Sequence, residues 1–162
     1  MSNADRAYQA GINDLIWILN VVSGRRFIFW GKPRPRGRVL IRDINPPEFW
    51  RLPEVEAIVR WSQIPAKNII FIPSDVDDLL GDHPIVRLVD SGLAVIRRPI
   101  CTFSPIGFRI ADAGNRSAVT LMTPNDSDPS HPLISSITDR MMIGAVMSQV
   151  DSALAMGEMI FK

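Results

Sequence analysis

The sequence is poor in the residues that usually announce chemistry. Cysteine occurs once, at Cys101, which excludes an internal disulfide framework and suits a reducing compartment. Histidine occurs twice, at His83 and His131, and neither has a second His or Cys at metal-ligand spacing. No glycine-rich phosphate loop of the form GxGxxG or GxxxxGK is present, and no nucleophile elbow. No apolar run approaches the roughly 20 residues that span a bilayer. The opening MSNADRAYQAG lacks a charged segment followed by an apolar one, so no signal peptide is expected and cytoplasmic residence is the default. Net charge is only +1, which by itself argues neither for nor against nucleic acid. No internal repeat or low-complexity tract occurs.

What is present is an ordinary globular composition over 162 residues, enough for a single domain, 1–162, with a real core. Residues 68–100 organise the rest. Asn68 to Ile72 is a short Ile- and Phe-rich run stopped by Pro73, the pattern of a strand covered on both faces. Ser74 with Asp77 resembles a capping box, and Asp75, Asp77 and Asp78 suit a helix N-terminus. Pro84 restarts a helix carrying Ile85, Val86, Leu88 and Val89 inward, and Ser91-Gly92 closes it. Leu93 to Ile96 is a second buried strand. The two strands fit either a parallel crossover or an antiparallel return.

Upstream, Tyr8, Ile12, Leu15, Ile16, Leu19 and Val22 form one helical stripe, stopped by Ser23-Gly24. Phe27–Trp30 and Arg38–Arg42 are expected to form a hairpin around a protruding Gly31-Lys-Pro-Arg-Pro-Arg-Gly37 tip. In its second strand Val39 and Ile41 share one face, and Arg38, Leu40 and Arg42 share a wet one. Asn45-Pro46-Pro47-Glu48 starts a short turn, and Pro53 opens a helix with Val55, Ile58, Val59 and Ser62 on one side. Downstream, 103–111 and 118–123 read as a second hairpin turned by Ala113-Gly114-Asn115-Arg116. A last helix is expected over about 133–160, rich in Met, with Gly144, Ser148, Ser152 and Ala155 in a row that permits close helix approach.

The chemistry-bearing candidates are few. Arg25, Arg26, Lys32, Arg34, Arg36, Arg38 and Arg42 lie in one short stretch with Phe27, Phe29 and Trp30 interleaved. Arginines on a stiff loop can straddle phosphates or enter a minor groove, or simply blunt an edge strand. Asp75, Asp77, Asp78 and Asp82 could face a cation, but they lack the glycine and terminal Glu of a calcium loop. Cys101 is either a thiol nucleophile or a small buried apolar residue.

The order of elements, together with IIFIPSDVDDLLGDHPIVRLVDSGLAVIRRPI and the closing MMIGAVMSQVDSALAMGEMI, resembles a GAF-type (GAF- or PAS-like) sensor domain. The resemblance implies an α+β fold with a mainly antiparallel sheet of five to six strands and both terminal helices packed on one face. The residue pattern also admits a three-layer α/β arrangement. It implies a non-enzymatic sensory or protein-interaction domain in signalling or regulation, a homodimer formed through 133–160, and a small ligand held near 68–92. Its contacts would come from Phe71 and Val95, oriented by Asp75 or His83. The cysteines of GAF-type methionine sulfoxide reductases are missing apart from Cys101, so that activity is not carried over. Two alternatives stand beside this. One is a nucleic-acid-associated protein using Arg34, Arg36, Arg38 and Arg42; the other is an enzyme of unknown reaction. The sequence names no cofactor and no metal.

Overall fold

A computed structural model describes residues 3–23, 37–42, 47–72, 83–98, 107–113, 116–127, 132–137, 139–155 and 158–161. Helix α1 spans Asn3–Val22 and strand β1 Arg38–Arg42. A 3-10 turn over Pro47–Arg51 leads into α2, Pro53–Ser62. Strand β2, Ile69–Phe71, helix α3, Ile85–Asp90, and strand β3, Val95–Arg98, follow. Then come β4, Gly107–Asp112, β5, Ser117–Thr123, β6, Leu133–Ile137, helix α4, Arg140–Ala155, and β7, Glu158–Phe161. The fold is α+β. Among the described residues seven strands make one sheet in the order β6-β5-β4-β1-β2-β3-β7.

The sheet is mixed: β6-β5-β4-β1 and β3-β7 pair antiparallel, while residues 38–98 add two consecutive parallel crossovers. β1 pairs β2 in parallel and β2 pairs β3 in parallel. α2 fills the first connection and α3 lies in the second. Two crossovers of one hand, moving the same way across the sheet, leave both helices on the same face. The ends of α2 and α3 follow their sequence signals. Pro53 lies at the start of α2 and Gln63 closes it in the left-handed region at φ 54. After α3, Gly92 at φ 73 donates to the Val89 carbonyl and Leu93 to that of Leu88, which ends the helix before β3. The second hairpin forms as expected, with β4 and β5 antiparallel from Gly107↔Met122 to Asp112↔Ser117.

Three sequence expectations give way. First, β1 has no place for a strand at 27–30. Its edges are taken by β2 and, antiparallel, by β4; residues 27–30 themselves lie outside the described residues. Second, the final helix is α4 alone, flanked by edge strands β6 and β7. Asp139 caps it, accepting from the amides of Met141 (2.8 Å) and Met142 (3.4 Å). Arg97 of β3 closes the other end by donating to the Leu154 carbonyl at 2.8 Å. Third, the terminal helices do not share a face. α1 packs with α2, α3, Val39, Ile41, Ile69, Phe71 and Ile96, whereas α4 packs on Leu40, Ile70, Val95, Phe108, Ile110 and Val119. The topology forces this. After β6 the chain stands at one sheet margin and must reach the other to add β7 beside β3. One face is already filled by three helices, so α4 crosses the other, and the domain has three layers.

Among the described residues, the core under α1 contains a buried ion pair. Arg109 of β4 is fully buried and donates to the Gly11 carbonyl at 2.8 Å and to Asp14 at 3.1 Å. Thr120 of β5 donates to the other Asp14 oxygen at 2.8 Å. The Phe49 ring lies 5.4 Å from the guanidinium carbon.

Candidate functional site

The strand directions give the sheet two unlike margins. At the carboxyl ends of the parallel strands begin the segments after Arg42, Ile72 and Arg98. The sequence places Asp43, Asp75, Asp77, Asp78 and Asp82 in the first two of these. At the amino margin the segment 24–36, with Arg25, Arg26, Lys32, Arg34 and Arg36, enters the sheet at Gly37. Lys67, exposed, precedes β2 at this margin, and Arg116, also exposed, closes the β4–β5 turn there.

The amino margin carries a notch of about 470 Å3 lined by Gly37, Arg38, Lys67, Asn68, Ile70, Asp112 and Ala113. Its geometry is fixed by backbone as much as by charge. Gly37 stands at φ 105, and a Cβ there would lie 1.8 Å from the Asp112 carbonyl oxygen, so only glycine fits. Asn68 donates its amide to the Gly37 carbonyl at 2.8 Å and ties the two strand starts together. Arg38 is held between two carboxylates. Its Nε faces Asp112 at 3.6 Å, and its Nη2 is ion-paired with Asp151 of α4.

Among the described residues, those singled out from sequence do not assemble into one site. Phe71 is buried on the α1 face, its ring edge-on to Trp50 at 5.0 Å. Val95 is buried on the α4 face with Ile70 and Ile72. One pocket cannot use both side chains through the sheet. His83 accepts a hydrogen bond at Nδ1 from the Ile85 amide, 3.1 Å away, so it caps α3. Asp75, Arg34, Arg36, His131 and Cys101 lie outside the described residues. Arg38 and Arg42 do share a face, but it is the one covered by α4 rather than a wet one. Arg42 is buried, and that burial pushes its guanidinium pKa down from the ordinary value. Sequence reasoning missed Lys67, Asn68 and Asp112. Only the register of β1 against β2 and β4 brings them beside Arg38, and no local spacing encodes that register.

Among the described residues no group of three or more His, Cys, Asp or Glu could hold a metal ion. Nor is any described helix long and apolar enough to cross a membrane.

No protein-family model and no curated protein matches the sequence. Among solved structures the fold is similar to that of TrmBL2, an archaeal chromatin protein whose structure shows a novel mode of DNA binding, with a TM-score of 0.52 and 10% identity. The match covers 94% of this chain and 52% of that one, so the chain spans about half the length of its neighbour. At this identity the likeness is one of fold alone.

Proposed function

We propose that the chain is a nucleic-acid-associated domain that meets the phosphate backbone with its amino margin. The observation that carries the reading is the entry of the arginine-rich segment 25–36 into β1 at the margin where Lys67 and Arg116 also stand. Backbone binding needs clustered cations and little else, because counterion release drives it. The similarity in fold to a DNA-binding chromatin protein supports the same reading. Of the four arginines first considered, Arg34 and Arg36 carry the contact. Arg38, positioned by Asp112 and Asp151, is secondary to them, and Arg42 is buried. The test is fluorescence anisotropy with a labelled DNA duplex. Arg34→Ala with Arg36→Ala weakens binding across unrelated sequences; unchanged affinity removes the reading.

The second reading is the small-ligand regulatory domain, GAF-like in its implied use. It is favoured by one observation, the notch at the amino margin, which lies apart from the site expected around Phe71 and Val95. Homodimer formation through 133–160 is part of that proposal. It is supported by the outward side chains of Leu133, Met141 and Met142, which are 54%, 85% and 54% exposed.

A further inference from the structure

We infer that the notch at the amino margin is a seat for a single phosphate or carboxylate group, with Arg38 and Lys67 as its cationic walls. The inference deepens the nucleic-acid reading but does not need it, since the same chemistry could come from a backbone phosphate or from a free small anion.

Three features of the notch support the assignment. Its volume, about 470 Å3, lies within the roughly 300–1,000 Å3 of small-molecule sites. Its lining mixes Ile70 and Ala113 with Arg38, Lys67, Asn68 and Asp112, and its backbone is fixed at Gly37 and by the Asn68 tie. Most telling is Arg38. An arginine left to itself on a margin samples many rotamers and loses that freedom on binding. Here two carboxylates on different elements orient it: Asp112 of β4 faces Nε at 3.6 Å and Asp151 of α4 ion-pairs with Nη2. Arg38 itself lies on the lining of the notch. A supporting shell of this kind is what holds a recognition group in one geometry. Lys67 adds a second cation on the notch lining, and an ionised acceptor makes the stronger class of hydrogen bond with such groups. The two carboxylates offset Arg38, so the site selects for one anionic group and not for a dense cluster of them.

The test is nuclear magnetic resonance of the 15N-labelled full chain, titrated with inorganic phosphate against chloride at matched ionic strength. Phosphate produces saturable shifts at the Gly37, Lys67 and Asn68 amides and at Arg38 Nε. Lys67→Ala weakens this binding by roughly tenfold, as loss of one charge-assisted contact does. Lys67→Arg retains it, and because Lys67 is exposed neither variant disturbs the core. Absent shifts, or shifts that are identical in Lys67→Ala, overturn the inference. A second titration adds DNA duplex to the phosphate-loaded protein. Displacement of phosphate identifies the seat as a backbone contact, and simultaneous binding identifies it as a site for a free anion; both outcomes support the seat. If Arg34→Ala with Arg36→Ala abolishes duplex binding while the notch never responds to phosphate, the seat fails and the nucleic-acid reading stands.

Discussion

Arg109 and Asp14 stand 3.1 Å apart beneath α1, with the arginine side chain wholly removed from solvent. They join the middle of the sheet to the first helix across 95 positions of sequence. The arrangement fastens α1 in one register, since the Gly11 carbonyl and Thr120 hydroxyl complete it.

Removing one partner should therefore cost far more than removing both. Asp14→Ala leaves a buried guanidinium without its counter-charge, and a loss of about 3–5 kcal/mol is expected in urea unfolding. Asp14→Leu combined with Arg109→Met should recover a substantial part of that loss. If the double variant is as unstable as the sum of the singles, the pair is not coupled as described.

Gly37→Ala should be disruptive out of proportion to one methyl group. The position has φ 105 and no room for a Cβ beside the Asp112 carbonyl. Beyond the ordinary penalty of about 1 kcal/mol for an incompatible backbone angle, β1 or β4 must shift. Amide exchange read at β1 and β4 should accelerate. Exchange that stays unchanged would mean the turn into β1 is looser than its geometry implies.

Arg38→Ala makes the opposite contrast. Its ion pairs are partly exposed, with side-chain exposures of 30% for Arg38 and 47% for Asp151. Pairs of that kind contribute no more than about 1 kcal/mol and are screened by salt. Stability should fall only slightly, and the difference should shrink in high salt. A large, salt-independent loss would show that Arg38 is a structural strut rather than a positioned binding group.

The contrast between these residues explains how much of the molecule was legible beforehand. Local signals located α1, α2, α3, β1 through β5 and the β4–β5 hairpin, because helix stripes, proline starts and glycine stops act over a few residues. Strand order acts over the whole chain. β1 reads as one arm of a local hairpin, yet its neighbours come from residues 69–71 and 107–112. The same gap hid the notch, whose walls come from three separate segments. Residues 133–160 misled for another reason. Their Met and small residues suit a continuous helix, but sheet margins offered unpaired backbone at both ends, and β6 and β7 took it. Arg109 gave no sign of its burial, since an arginine inside a strand pattern reads as solvent-facing.

The outward face of α4 gives a further prediction. Sedimentation equilibrium should show a monomer–dimer equilibrium that Met141→Gln with Met142→Gln shifts toward monomer. Both side chains lie more than half exposed, so the substitutions should change monomer stability by no more than about 0.5 kcal/mol. A mass independent of concentration in both proteins would remove dimer formation through this face.

The most direct test of the basic margin is the salt dependence of duplex binding. Each phosphate contact contributes about −0.9 to the slope of log K against log salt. Arg34→Ala with Arg36→Ala should lessen that slope by about 1.8 while leaving the unfolding midpoint unchanged. An identical slope in wild type and variant, or a slope of zero in both, would contradict the assignment of this margin to the phosphate backbone.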